Sequence, residues 1–133
     1  MTRYLLDSNI ISDLLRHPRG PAAARIDKLD DQDVLTSIIV AAELKYGAAK
    51  KGSARLTTEI GALLARMEVA AFEAPADRIY GDLRAGLQRS GRLIGANDLF
   101  IAAHALALDC VLVTDNTKEF SRVPDLKSEN WLR

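Results

Sequence analysis

Residues 3–15, "RYLLDSNIISDLL", join two periodicities end to end. The apolar run from Arg3 to Leu6 reads as a short buried strand, and Ile10, Ile11, Leu14 and Leu15 then recur on one face of a helix. Asp7 stands at the junction. It could cap the helix, but Ser8 and Asn9 are equally able caps, so the carboxylate invites a second explanation. In open parallel α/β sheets, ligands bind beyond the carboxyl ends of the strands, and that is where Asp7 falls.

The rest of the chain repeats the alternation. Pro18 and Gly20 end the first helix, and "GPAAARIDKL" starts a second with Pro21 in its first turn. "VLTS" reads as a strand ending in a capping Ser37, followed by a helix from Ile38 to about Lys50 and, past Gly52-Ser53, another over residues 54–67. "EVAAFE" is a short strand, and Pro75 opens a long helix through about Arg89. The Gly-rich "SGRLIGAN" leads into "DLFIAAHALAL", apolar nearly all round and therefore a buried helix. "CVLVTD" is a continuous apolar run, as expected of a strand covered on both faces. Strands alternating with helices imply a mainly parallel sheet between two helical layers, in one domain spanning residues 1–133.

Composition narrows the classes of function. Hydrophobic residues make up 48% and charged residues 27%, an ordinary globular balance. The 18 basic and 18 acidic side chains cancel, so any site for a polyanion has to be local. No apolar stretch reaches the roughly 18 residues of a membrane span. Asp7 comes too early for a secretory h-region, and Cys110, alone inside "CVLV", reads as a small buried hydrophobe. A reducing, cytoplasmic setting is expected. His17 reads as a loop residue, His104 as a core or interface histidine, and Trp131 as packing the terminus onto the body.

Four further acidic or amide positions sit oddly. Glu43 lies within the inward stripe of Ile39, Val40, Leu44 and Gly47, where it needs either a cation or a cleft. Asp98 opens the buried helix, with Asn97 beside it as an alternative cap. Asp115 and Asn116 follow the late strand. Should these converge with Asp7, their repulsion requires a cation, and hard oxygen donors without His or Cys select Mg²⁺ or Mn²⁺. That is the chemistry of phosphodiester cleavage.

In order and spacing, "LLDSNIISDLL", "SIIVAAELKYGAAK" and "GRLIGANDLFIAAHALALDCVLVTDNTKEFSRVPDLKSENW" resemble the PIN-domain ribonucleases, and most closely VapC toxins of bacterial toxin–antitoxin pairs. The resemblance covers essentially the whole chain and implies a PIN-like three-layer α/β/α fold. It also implies a Mg²⁺-dependent endoribonuclease whose acidic cluster is Asp7, Glu43 and Asp98, supported by Ser8, with a fourth position at Asn116 or its neighbour Asp115. Asp7 and Asp98 are expected to hold the metal directly and Glu43 through water. The implied partners are an RNA, often a transfer RNA, a cognate antitoxin seated in the catalytic groove, and a second copy in a homodimer. Arg84 resembles a basic residue near the family's active site. With Arg16, Lys50, Lys51 and Arg92 it is a candidate for contacts to the RNA backbone.

Two other readings compete. A haloacid-dehalogenase-like phosphatase also places an aspartate after its first strand, but it needs another two positions later, where this chain has Asn9. A non-catalytic doubly wound module would bind a partner through the same crevice. No phosphate-binding glycine loop supports a nucleotide site.

Overall fold

In the computed structural model, which describes residues 1–133, strand β1 (Tyr4–Leu6) lies at the centre of the sheet. The others are β2 (Val34–Ser37), β3 (Glu68–Ala70), β4 (Val111–Val113) and β5 (Ser128–Glu129). Their order is β3-β2-β1-β4-β5, and every pair is parallel. Tyr4, Leu5 and Leu6 face Val34, Leu35 and Thr36 on one side and Val111, Leu112 and Val113 on the other. Strand order therefore reverses between β1 and β4, and a crevice opens beyond their carboxyl ends.

Seven helices cover the sheet in a three-layer arrangement: α1 (Ser8–Arg16), α2 (Pro21–Asp27), α3 (Ile38–Lys51), α4 (Ala54–Ala65), α5 (Ala76–Arg89), α6 (Ala96–Ala107) and α7 (Thr117–Phe120). Leu5, Leu6, Leu35, Leu112 and Val113 of the strands pack with Ile10, Ile11, Val40, Leu99 and Ile101 of the helices in one connected core. Fully burying an aliphatic side chain of this kind contributes roughly 1.5–3 kcal/mol. No helix is long and apolar enough to cross a membrane.

Several local expectations change. Asp7 is itself the cap of α1, accepting from the Ser8 N–H at 2.8 Å, because Ser8 already begins the helix. Gly95, not Asn97, precedes the first turn of α6, and no side chain caps it. The apolar runs around β3 and β4 extend past the paired residues, so the strands are shorter than their sequences suggest. The two-residue β5 and four-residue α7 are too short to carry a periodic signal. At the terminus, Trp131 is buried against Tyr4 with ring centroids 5.1 Å apart, as expected, and its indole N–H donates to Glu129.

Candidate active site

Asp7 ends β1 at the crevice and is only 4% exposed. Its Oδ2 accepts the Thr114 hydroxyl at 2.7 Å and, more weakly, the Asn9 amide at 3.4 Å. Burial still outweighs these donors and raises its pKa above the ordinary carboxylate value. Thr114 lies just past β4, so this bond ties the ends of β1 and β4 together from side chain to side chain. Asn9 adds a second clip, its Oδ1 accepting the Asp115 N–H at 2.9 Å.

Glu43 comes from α3. The Asn97 amide donates to its Oε2 at 3.3 Å, while Oε1 is buried without any partner. Burial and the Asp7 charge raise its pKa, against the hydrogen bonds of Asn97 and Ser8. Asp98, in the first turn of α6, is the most perturbed of the group. Burial first, then the charges of Asp7, Glu119 and Glu43, push it from 3.8 up to about 7. A carboxyl at a helix N-terminus is ordinarily favoured as the anion, so burial and the neighbouring negative charges together prevail here.

Glu119 was not among the residues singled out from the sequence. Its carboxylate accepts the Gly95 N–H at 3.0 Å and the Asn116 amide at 2.7 Å, and these bonds hold its pKa below the ordinary value. A Cβ placed on Gly95 would lie 3.9 Å from Asp98 Oδ2 and 4.0 Å from Glu119 Oε1, so both carboxylates flank the same backbone. Asp115, expected as one form of the fourth position, turns away to Asn130 (3.1 Å) and Arg133 (4.0 Å). Asn116, the other form, orients Glu119 from one turn away. The readable signal was Asn116-x-x-Glu119 ahead of the buried Phe120, the spacing of a helix start with an acid in its first turn.

None of the six ion pairs in the molecule involves Asp7, Glu43, Asp98 or Glu119. Asp98 in range of the other three acids, with no cationic side chain paired to any of them, completes a donor set of hard oxygens only, the kind suited to Mg²⁺ or Mn²⁺. The unpartnered buried Oε1 of Glu43 fits such a guest. As they stand, no three of these carboxylates are grouped closely enough to form a ready-made cage for an ion. An ion that retains several of its waters does not require one.

A groove of about 650 Å³ leads away from the acids between α1, α3 and α4, with Ser8 and Glu43 at one end and Lys51 and Arg55 at the other. Arg16 also lines it. Of the five basic residues expected to contact RNA, Arg16 and Lys51 therefore share this groove, and Lys50, Arg84 and Arg92 do not. Arg84 instead donates to the Tyr80 hydroxyl at 2.8 Å on α5.

The PIN domain family model matches residues 4–126. The sequence is similar to Ribonuclease VapC2 of Rickettsia felis, with 39% identity over 96% of this chain and 97% of that protein. It is 33% identical to the tRNA(fMet)-specific endonuclease VapC of Shigella flexneri, over 98% of this chain and 99% of the other. Among solved structures, the fold matches a chain of VapBC2 from Rickettsia felis bound to a promoter DNA fragment. The TM-score is 0.90 at 37% identity, covering 98% of this chain and 99% of that one. A chain of DNA-bound VapBC from Salmonella typhimurium gives 0.91 at 31% identity, with the same coverage.

Proposed function

Since this chain belongs to the PIN-domain family, among its VapC ribonucleases, we propose that it is a Mg²⁺-dependent endoribonuclease, the toxin of a type II pair, acting through Asp7, Glu43, Asp98 and Glu119. The observation that carries this reading is the half-buried Asp98 set among three other acids with no cation among them, an environment that raises its carboxyl to about 7, by burial first and then by their charges. Such an arrangement is costly unless a positive ion shares it. When bound, a divalent ion withdraws charge from a phosphoryl oxygen and makes water acidic enough to attack near neutral pH.

The chain's own residues have separable tasks. Asp7, fixed by Thr114 and its backbone cap, and Asp98, fixed on α6, would hold the ion directly. Glu43, free at Oε1, would complete the shell through water or take the proton of the attacking water. Glu119, kept ionised by Asn116 and Gly95, adds a fixed negative charge beside Asp98. Ser8 lies between the acids and the groove. Hydrolysis by water leaves a 5′-phosphate and a 3′-hydroxyl.

Arg16 and Lys51, without acidic partners, would track the RNA backbone along the groove, whereas Arg55 is already paired with Glu59 at 2.8 Å. The relative named for transfer-RNA specificity makes structured RNA of that type the first substrate class to test. A cognate antitoxin would inhibit by occupying the same groove, in line with the VapBC complexes that the fold matches. A homodimer is also part of this reading, supported by exposed Ile38 and Tyr46, eight residues apart on α3. The cytoplasm, where such RNA resides, is the proposed location.

The phosphatase alternative loses its footing at Asn9, whose amide is committed to Asp7, Thr114 and the Asp115 backbone. The decisive experiment incubates the purified protein with total cellular RNA in Mg²⁺ and again with excess chelator. Cleavage in the first only, abolished in a folded Asp7→Ala variant, is expected. Cutting that survives chelation, or partner binding without any cutting, would reject the proposal.

A further inference from the structure

His104, on α6, is 1% exposed, and both its ring nitrogens are engaged. Nε2 lies 3.0 Å from the Ala71 carbonyl oxygen, which can only accept, so Nε2 carries the proton. Burial lowers the pKa of the ring, leaving Nδ1 a bare acceptor at neutral pH. The Ser37 hydroxyl, 2.7 Å away, therefore donates to Nδ1 while its oxygen accepts the Ile39 N–H at 3.0 Å in the first turn of α3. One uncharged chain of bonds thus joins the start of α3, the last turn of α6 and the segment after β3.

This chain of bonds has a geometric relation to the acids. Glu43 stands six residues beyond Ser37 on α3, and Asp98 stands six residues before His104 on α6, about 9 Å along each helix axis. At that level the helices touch again, through the hydrogen bond from Asn97 to Glu43. Two side-chain hydrogen bonds therefore link α3, with its capping Ser37, to α6. One, at 3.3 Å, lies among carboxylates that repel each other. The other is the buried Ser37–His104 bond at 2.7 Å, with the Phe72 ring in a T-shaped contact with the imidazole, ring centroids 5.2 Å apart. Nothing ionic holds Glu43 near Asp98. The separation of the two acids must be set by the scaffold.

We infer that His104 is a positioning residue: through its bond to Ser37 it sets the spacing of Glu43 and Asp98, and hence the affinity of the acidic site for a divalent cation. The inference rests on the ion reading proposed above. Its mark is that it should survive any replacement that keeps the Ser37 bond and fail when only that bond is lost. Asn places an amide near the Nδ1 position and can still accept from Ser37. Gln reaches toward the Nε2 position and can still donate to the Ala71 carbonyl.

The test measures Mn²⁺ binding calorimetrically on the chelator-treated full chain, for the native protein, His104→Asn, His104→Gln and Leu64→Ala. Leu64 is a core residue of α4, away from both contacts, and controls for lost stability. His104→Gln should weaken Mn²⁺ binding about 10-fold, the scale typical of lost outer supports of a metal site. His104→Asn and Leu64→Ala should stay within about 3-fold of native. A native protein that binds Mn²⁺ beside a His104→Gln variant that binds it equally well overturns the positioning role alone. Weakening in Leu64→Ala as large as in His104→Gln does the same. A native protein that binds no Mn²⁺ removes the ion reading and this inference with it.

Discussion

Replacing Asp98 by Asn removes the charge that its neighbours most disfavour. In the native chain, burial and three acids move the Asp98 carboxyl from 3.8 up to about 7. A raised carboxylate pKa means that folding favours the protonated form. The associated stability is therefore complete below the unfolded value and is lost as the pH rises through the folded one. Between pH 5 and pH 8 about two decades of that loss are traversed, roughly 3 kcal/mol at ~1.4 kcal/mol per decade. Water at this half-buried group screens the figure to about 1.5 kcal/mol, or roughly 4–5 °C in Tm for a chain of this size. The assay is thermal unfolding of the chelator-treated protein at both pH values. The native protein should lose about that much more than Asp98→Asn, and saturating Mg²⁺ at pH 8 should return it to the native protein alone. Equal pH slopes in the two proteins, unmoved by Mg²⁺, would refute the mutual repulsion on which the site's chemistry depends.

Other substitutions separate neighbouring residues. Glu119→Gln should reduce RNA cleavage at least about 10-fold while Asp115→Asn changes it less than about 3-fold, measured as single-turnover rates. Thr114→Val removes the 2.7 Å donor to Asp7 and should cost about 2 kcal/mol in urea unfolding, as for a hydrogen bond to a charged acceptor. Trp131→Ala empties a buried site against Tyr4 and Arg25 and should cost roughly 3–5 kcal/mol by the same measurement. Lys51→Glu and Arg16→Glu should raise KM more than they lower kcat, and each should flatten the salt dependence of RNA binding by about one unit of slope. An unchanged slope would remove the groove from the RNA path.

The sheet was legible because its strands are buried on both faces and so appear as unbroken apolar runs, as in "YLL" and "VLV". Asp7, Glu43 and Asp98 stood out for a related reason, since each interrupts a pattern that burial would otherwise keep apolar. Glu119 interrupts nothing. It sits on a four-residue helix next to lysine and threonine, and only the fold carries it to Asp98. Asp115 misled because proximity along the chain to the late strand does not determine side-chain direction. There the terminal residues Asn130 and Arg133 supply the partners. The basic residues were the least legible, because an exposed arginine gives no sign in the sequence of which groove it borders. Arg16 and Lys51 come together through α1 and α3, whereas Arg84 is bound to its own helix.

The reversal of strand order between β1 and β4 divides the acids evenly along the polypeptide. Asp7 and Glu43 arrive with β1 and α3, Asp98 and Glu119 with α6 and α7, and the Asp7–Thr114 bond spans 107 positions. A chain severed in the loop after α5 would leave two carboxylates on each fragment and no shared crevice. Either fragment alone would be harmless to a cell, and cutting would return only when the fragments met and rebuilt the central pairing. With cutting assigned to these four acids as proposed above, the same topology makes the nuclease all-or-none: a partly folded copy has nothing with which to cut.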